Sequence, residues 1–138
     1  MLTGSYRHPL DAKGRCVVPK VFRSQMGEVV YLTRGIDKCI WVFPEDAWRS
    51  FAAEIQRRAA HHPDGSLLLR YFLGTAFEVS FDRMGRVQIP AALRDWAELG
   101  GETVIVGLGE RVEIWPAKGW DASMAEMTPD RIRDAMRT

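Results

Sequence analysis

Two five-residue segments carry the side chains best suited to chemistry: Asp11-Ala12-Lys13-Gly14-Arg15 and Asp82-Arg83-Met84-Gly85-Arg86. A glycine directly before an arginine at the start of a strand fits a turn whose left-handed position only glycine fills cheaply. The aspartate can accept backbone N–H bonds across that turn, or pair with the arginine four residues on. A single copy would read as a hairpin turn with its own exposed ion pair, worth about 0–1 kcal/mol. Two copies, flanked by Arg7, Lys20 and Arg23 in the first and Arg94 in the second, supply more positive charge than a turn requires. Clustered positive charge of this kind suits contact with a polyanion. Were that partner DNA, an arginine fork from Arg15 or Arg86 would match guanine O6 and N7 in the major groove, worth about 1–3 kcal/mol of base discrimination, while Lys13, Arg7 and Lys20 would hold phosphates and fix register. Residue type alone leaves open which side chain does which.

The match between the segments extends well beyond the turns. Residues 10–19 lie over residues 81–90 at a constant offset of 71, with Asp, Gly, Arg and Pro identical. The register continues through Phe22-Arg23 over Leu93-Arg94 and, after two small shifts in expected loops, lays Val42-Phe43-Pro44 over Ile114-Trp115-Pro116. Duplicated units tolerate length changes in loops, so the chain reads as two copies of one unit.

Each copy is expected to be mostly β. Residues 15–18, 29–33 and 39–43 are rich in β-branched and aromatic side chains and are bounded by Gly, Pro and Asp. Pro19 and Pro90 each end a strand and can open a short helical turn. About four short strands per copy are too few to stand alone, so the two cores are expected to merge into one barrel. Between the copies, Pro44-Glu45-Asp46 starts a helix whose apolar face is Trp48, Phe51, Ala52, Ile55 and Ala59. His-His-Pro-Asp-Gly at 61–65 closes it, and residues 66–73 begin a second helix. The expected organisation is repeat 1 over 5–47, a helical insert over 48–75, repeat 2 over 76–119 and a tail over 120–138. The tail has one helix start, Thr128-Pro129-Asp130, but only Ile132 and Met136 to bury, and is expected to fray.

Composition sets the outer limits. The chain has 138 residues, 46% of them hydrophobic, which suffices for a real core, and no uncharged stretch approaches the roughly 18 apolar residues of a membrane span. No basic segment followed by an apolar one opens the sequence, so a cytoplasmic location is expected. The net charge of +1 is a cancellation. Residues 1–23 hold five basic side chains against Asp11, residues 82–94 hold three against Asp82, and residues 95–138 hold nine acids against five bases. Cys16 and Cys39 lie in apolar runs without metal or redox spacing and read as buried hydrophobes. His61 and His62 lack a third metal ligand, neither cysteine has an identifiable histidine partner, and Gly107-Leu108-Gly109-Glu110 precedes a strand, so it is no phosphate loop. The reading is a non-enzyme with no cofactor, no metal and no small-molecule substrate.

Gly4 and Tyr6, residues 10–15, 19–23, 32–35, 72–78 and 82–90, and Glu113-Ile114-Trp115 together resemble the MraZ family of bacterial transcriptional regulators. The resemblance runs in register from residue 1 to about residue 125. It implies an α+β fold, mostly β with inserted helices, in which tandem SpoVT/AbrB-type units form a swapped-hairpin barrel. It further implies a ring-like homo-oligomer, associated with the nucleoid, that binds short direct repeats of double-stranded DNA upstream of a division and cell-wall gene cluster that includes its own gene, as a repressor. The family signature falls on Asp11 and Arg15 and on Asp82 and Arg86. The expected DNA-contacting set is Arg7, Lys13, Gly14, Arg15, Lys20, Arg83, Gly85 and Arg86, with Asp11 and Asp82 shaping the turns. Cys16 stands where a larger aliphatic residue is usual, and 95–98 departs from the family pattern. The competing reading is a protein–protein scaffold or antitoxin-like module on the same barrel, without specific operator binding.

Overall fold

Alternation along the central strands decides the architecture. In the computed structural model, which describes residues 1–137, strand β4 (Ile40–Pro44) sends Ile40 and Val42 to one side and Trp41 and Phe43 to the other. Strand β8 (Val112–Pro116) does the same with Val112 and Ile114 against Trp115, so each strand is apolar on both faces and must lie at the centre. The two pair antiparallel, with Trp41 opposite Glu113. Around them β1 (Leu2–Pro9), β3 (Val29–Arg34), β5 (Phe77–Ser80) and β7 (Glu102–Gly109) complete a six-stranded sheet in the order β1-β7-β8-β4-β3-β5. Strands β2 (Arg15–Val17) and β6 (Arg86–Gln88) form a separate two-stranded ladder. The chain is therefore α+β with antiparallel sheets, and no closed ring of hydrogen-bonded strands is present among the described residues.

The pairing exchanges the first strand of each copy. β1 of the first copy pairs with β7 of the second over eight residues, and β5 of the second pairs with β3 of the first. Both the β2–β6 ladder and the β4–β8 pair thus sit on a pseudo-twofold axis, the former centred on Cys16 opposite Val87. Gly107 permits the long β1–β7 ladder, because a Cβ there would run into the backbone of Leu2 and Thr3.

One core lies between the sheet and the ladder. It contains Val18, Phe22, Val30, Leu32, Ile89, Leu93, Ile105 and Ile114, with α1 (Lys20–Arg23) and α4 (Ala91–Ala97) supplying Phe22 and Leu93. Pro19 and Pro90 start these helices as N-caps, one position earlier than the sequence pattern placed them. The other face of the sheet carries an aromatic core under α2 (Glu45–Ala59) and α3 (Gly65–Phe72), where Trp48, Phe51 and Ile55 pack on Trp41, Phe43 and Phe72. The expected apolar helix face is thereby core.

Helix α5 (Ala117–Glu126) begins inside the expected second repeat and lays Trp120 edge-on against Trp115, with ring centres 5.8 Å apart. Helix α6 (Pro129–Met136) starts where the cap signal lies: Thr128 Oγ1 accepts the Arg131 N–H at 3.3 Å. It buries no side chain. Thr138, the end of the expected tail, lies outside the described residues.

Candidate nucleic-acid interface

Each Asp-x-x-Gly-Arg segment folds as a closed turn in which both carboxylate oxygens of the aspartate accept hydrogen bonds. Asp11 Oδ1 accepts the N–H groups of Lys13 at 2.9 Å and Arg15 at 2.8 Å, and Oδ2 accepts Arg15 Nε–H at 2.7 Å. Asp82 repeats the arrangement with Met84 and Arg86 N–H, both at 2.9 Å, and Arg86 Nε–H at 2.7 Å. Gly14 and Gly85 both sit at φ +77°, in the left-handed region that the turn requires. Three donors converging on one carboxylate hold both acids below the ordinary 3.8, the backbone N–H of Arg15 or Arg86 being the largest cause.

The sign of the acid dependence follows. A carboxyl with a lowered folded pKa contributes stability that is present above its unfolded value and lost as the pH falls through the folded one. Both turns are thus expected to stay closed down to about pH 3.8 and to open only in stronger acid. Side-chain carboxyl titration by NMR checks this, with midpoints for Asp11 and Asp82 below 3.8 expected and midpoints at or above 3.8 refuting it.

The β2–β6 ladder brings the turns to one surface. Its inward residues, Cys16 and Val87, are buried, so Arg15, Val17, Arg86 and Gln88 share the opposite, outward face. Cross-repeat hydrogen bonds lock the two ends: Val18 N–H donates to Gly85 O at 3.1 Å, and Ile89 N–H to Gly14 O at 3.0 Å. Arg86 Nη1 lies 3.9 Å from Asp11 Oδ2, so the turns also meet electrostatically. Within each turn the aspartate hydrogen-bonds only the Nε–H of the arginine guanidinium. No hydrogen bond among the described residues uses the terminal nitrogens of Arg15 or Arg86, and these are the atoms of a guanine-reading fork.

The other expected residues divide between this surface and elsewhere. Lys13 and Arg83 are exposed on the turns. Lys20, at the start of α1, lines a groove with Arg23 and Asp82, and so stands beside the second turn rather than its own. Arg7 leaves β1 on the far side of the sheet, where its Nη2 donates to Asp121 of α5 at 2.5 Å; it is not brought to the turns. Arg23 and Arg94, read from sequence only as basic flanks, have a packing task. Each guanidinium covers the turn glycine of the other repeat, Arg94 over Gly14 and Arg23 over Gly85, where any Cβ would overlap it. Arg23 Nε–H donates to Val18 O at 2.9 Å and Arg94 Nη1–H to Ile89 O at 2.7 Å. Gln88 was missed altogether; strand alternation from Arg86 would have placed it on the outward face, where its amide donates to Lys13 O at 2.8 Å.

Burial pushes the Cys16 thiol up to about 12 and raises Cys39 as well, leaving both as unreactive thiols. No group of three or more His, Cys, Asp and Glu side chains among the described residues is placed to hold a metal ion.

A family model described as "MraZ protein, putative antitoxin-like" matches residues 1–71 and again residues 72–137. The chain belongs to the MraZ family. The two matched MraZ segments meet within α3, so the family unit counts α2 and most of α3 with the first copy. Similar curated proteins, each named "Transcriptional regulator MraZ", come from Halothermothrix orenii (37% identical, covering 99% of this chain and 96% of that protein) and Natranaerobius thermophilus (40%, covering 88% and 85%). A third, from Bifidobacterium longum, is 39% identical over 91% of this chain and 84% of its own length. These MraZ relatives are named as regulators of transcription, not as enzymes.

Proposed function

We propose that this chain is a transcriptional regulator that binds double-stranded DNA sequence-specifically through the outward face of the β2–β6 ribbon and its two turns. The observation that carries the reading is the joint presentation of Arg15 and Arg86. Both terminal forks project from one antiparallel ribbon, and a two-stranded ribbon is of a size that enters the major groove. Lys13, Arg83 and Lys20 flank that face and hold phosphates, fixing register. The acid-rich C-terminal third carries α5 and α6, and α5 lies against the far side of the sheet, away from the ribbon.

The resemblance in the sequence extends this reading to short direct repeats in the promoter of a division and cell-wall gene cluster, including the chain's own gene, with repression as the outcome. One ribbon with a handful of basic contacts binds a single repeat weakly. Several copies in a ring-like assembly, facing repeats at matched spacing, gain affinity through effective concentration.

Footprinting on the DNA immediately upstream of the chain's own gene tests the reading. Protection of spaced repeats is expected, with log affinity falling against log salt by about 0.9 per neutralised phosphate. Absence of protection together with salt-insensitive self-association would instead identify a protein-only scaffold. A strict monomer in solution-mass measurement would overturn the ring.

A further inference from the structure

The two turns are equal in backbone and unequal in side chains. Their glycines share φ +77°, and their aspartates accept the same three donors at matching distances. At the 71-residue offset, however, Lys13 in the first turn corresponds to Met84 in the second, and Ala12 corresponds to Arg83. Met84 is 68% exposed. The turn uses only its N–H, donated to Asp82 Oδ1, so the fold requires nothing of its side chain.

A large exposed apolar side chain at this place is informative because of its neighbours. It lies between Arg83 and Arg86, in a field that draws polyanions and offers little to an apolar protein partner. On the polyanion that fits an arginine-bearing ribbon, the base edges of the major groove carry one apolar group, the C5-methyl of thymine. Methionine is unbranched, flexible and polarisable, and can fit that methyl without a fixed geometry.

Resting on the DNA reading above, we infer that Met84 is a specificity-determining residue that packs against a thymine methyl at the second-turn end of the ribbon. Lys13 at the other end contributes charge instead. The two ends of the pseudo-twofold ribbon therefore differ in chemistry: the second-turn end adds an apolar base contact to the phosphate contacts of Arg83 and Lys20, and the first-turn end has the ionic contact of Lys13 without an apolar one.

The test uses a duplex covering the footprinted repeats, with each thymine replaced in turn by deoxyuridine, which deletes only the methyl. Wild-type protein is expected to lose about three- to fivefold in affinity at one thymine position per repeat, the cost of leaving roughly one methyl group unburied. Met84→Ala is expected to bind unmodified DNA more weakly by a similar factor and to be indifferent to deoxyuridine at that position. Met84→Lys, which copies the first turn, is expected to lose the methyl preference while its salt slope steepens by about 0.9. Lys13→Ala is expected to keep the methyl preference. The inference is overturned by wild-type affinity that no deoxyuridine substitution changes, or by the same losses in Met84→Ala. Absence of wild-type binding to the unmodified duplex would overturn the DNA reading itself, so the two failures are distinguishable.

Discussion

Replacing Arg15 or Arg86 by alanine is expected to lower affinity for the specific DNA by about 10- to 100-fold each, the worth of one bidentate base contact, and the double replacement is expected to abolish specific binding. The fold is expected to survive. Asp11 would still accept the N–H groups of Lys13 and Arg15, and Asp82 those of Met84 and Arg86, because the backbone donors remain when the guanidinium is removed. Gly14 and Gly85 would still be covered by Arg94 and Arg23. A binding titration at fixed salt, with non-specific duplex as the reference, measures the effect. Unchanged specific affinity in the double variant would falsify the assignment of the ribbon as the reading surface, whereas a uniform loss on both duplexes would make the two arginines phosphate anchors.

Phe22→Ala should have the largest effect on stability, about 3–5 kcal/mol, because a fully buried aromatic is removed from a packed core. Phe22 fills the space between the sheet and the ladder and meets Tyr6 of β1 edge-on, with ring centres 5.3 Å apart. Against a typical total stability of about 5–15 kcal/mol, that loss is a third or more for many domains. The exchange of β1 and β5 adds a second expectation. Neither copy owns a complete sheet, so the chain should unfold in one transition and Phe22→Ala should weaken both copies together. Denaturant unfolding followed by tryptophan fluorescence and by far-ultraviolet circular dichroism checks this. Coincident curves with a lowered midpoint are expected, and two separated transitions would show independent copies.

Much of the proposed DNA-binding surface was legible in the sequence because the bonds that shape it are local. The aspartate, the two N–H donors and the arginine of each turn fall within five residues, so residue type and spacing carry the geometry. The same holds for the helix starts at Pro44-Glu45-Asp46 and Thr128-Pro129 and for the Trp48, Phe51, Ile55 face of α2. Gln88 was legible in principle and overlooked: it stands two residues after Arg86 on a strand, hence on the same face.

Arg7 shows where such reading ends. Its basic charge and its place before the first turn suggested a phosphate contact, yet its partner is Asp121, separated from it by 114 positions. Strand alternation sets which face a side chain takes, but not what covers that face. Arg23 and Arg94 make the same point in reverse, since the glycine each covers belongs to the other copy.

The sequence by itself determined the duplicated turn, its chemistry and the family, because these depend on residue types at short, fixed spacing. Only the tertiary structure decided that first strands are exchanged, that an open six-stranded sheet carries a separate two-stranded ribbon, and that the two turns share one outward face. The physical reason is that a strand's pattern of apolar and polar residues specifies a buried face without naming its hydrogen-bonding neighbour. That neighbour is chosen when long-range pairs such as Cys16 with Val87 close the core, and their closure turns two separate motifs into one surface.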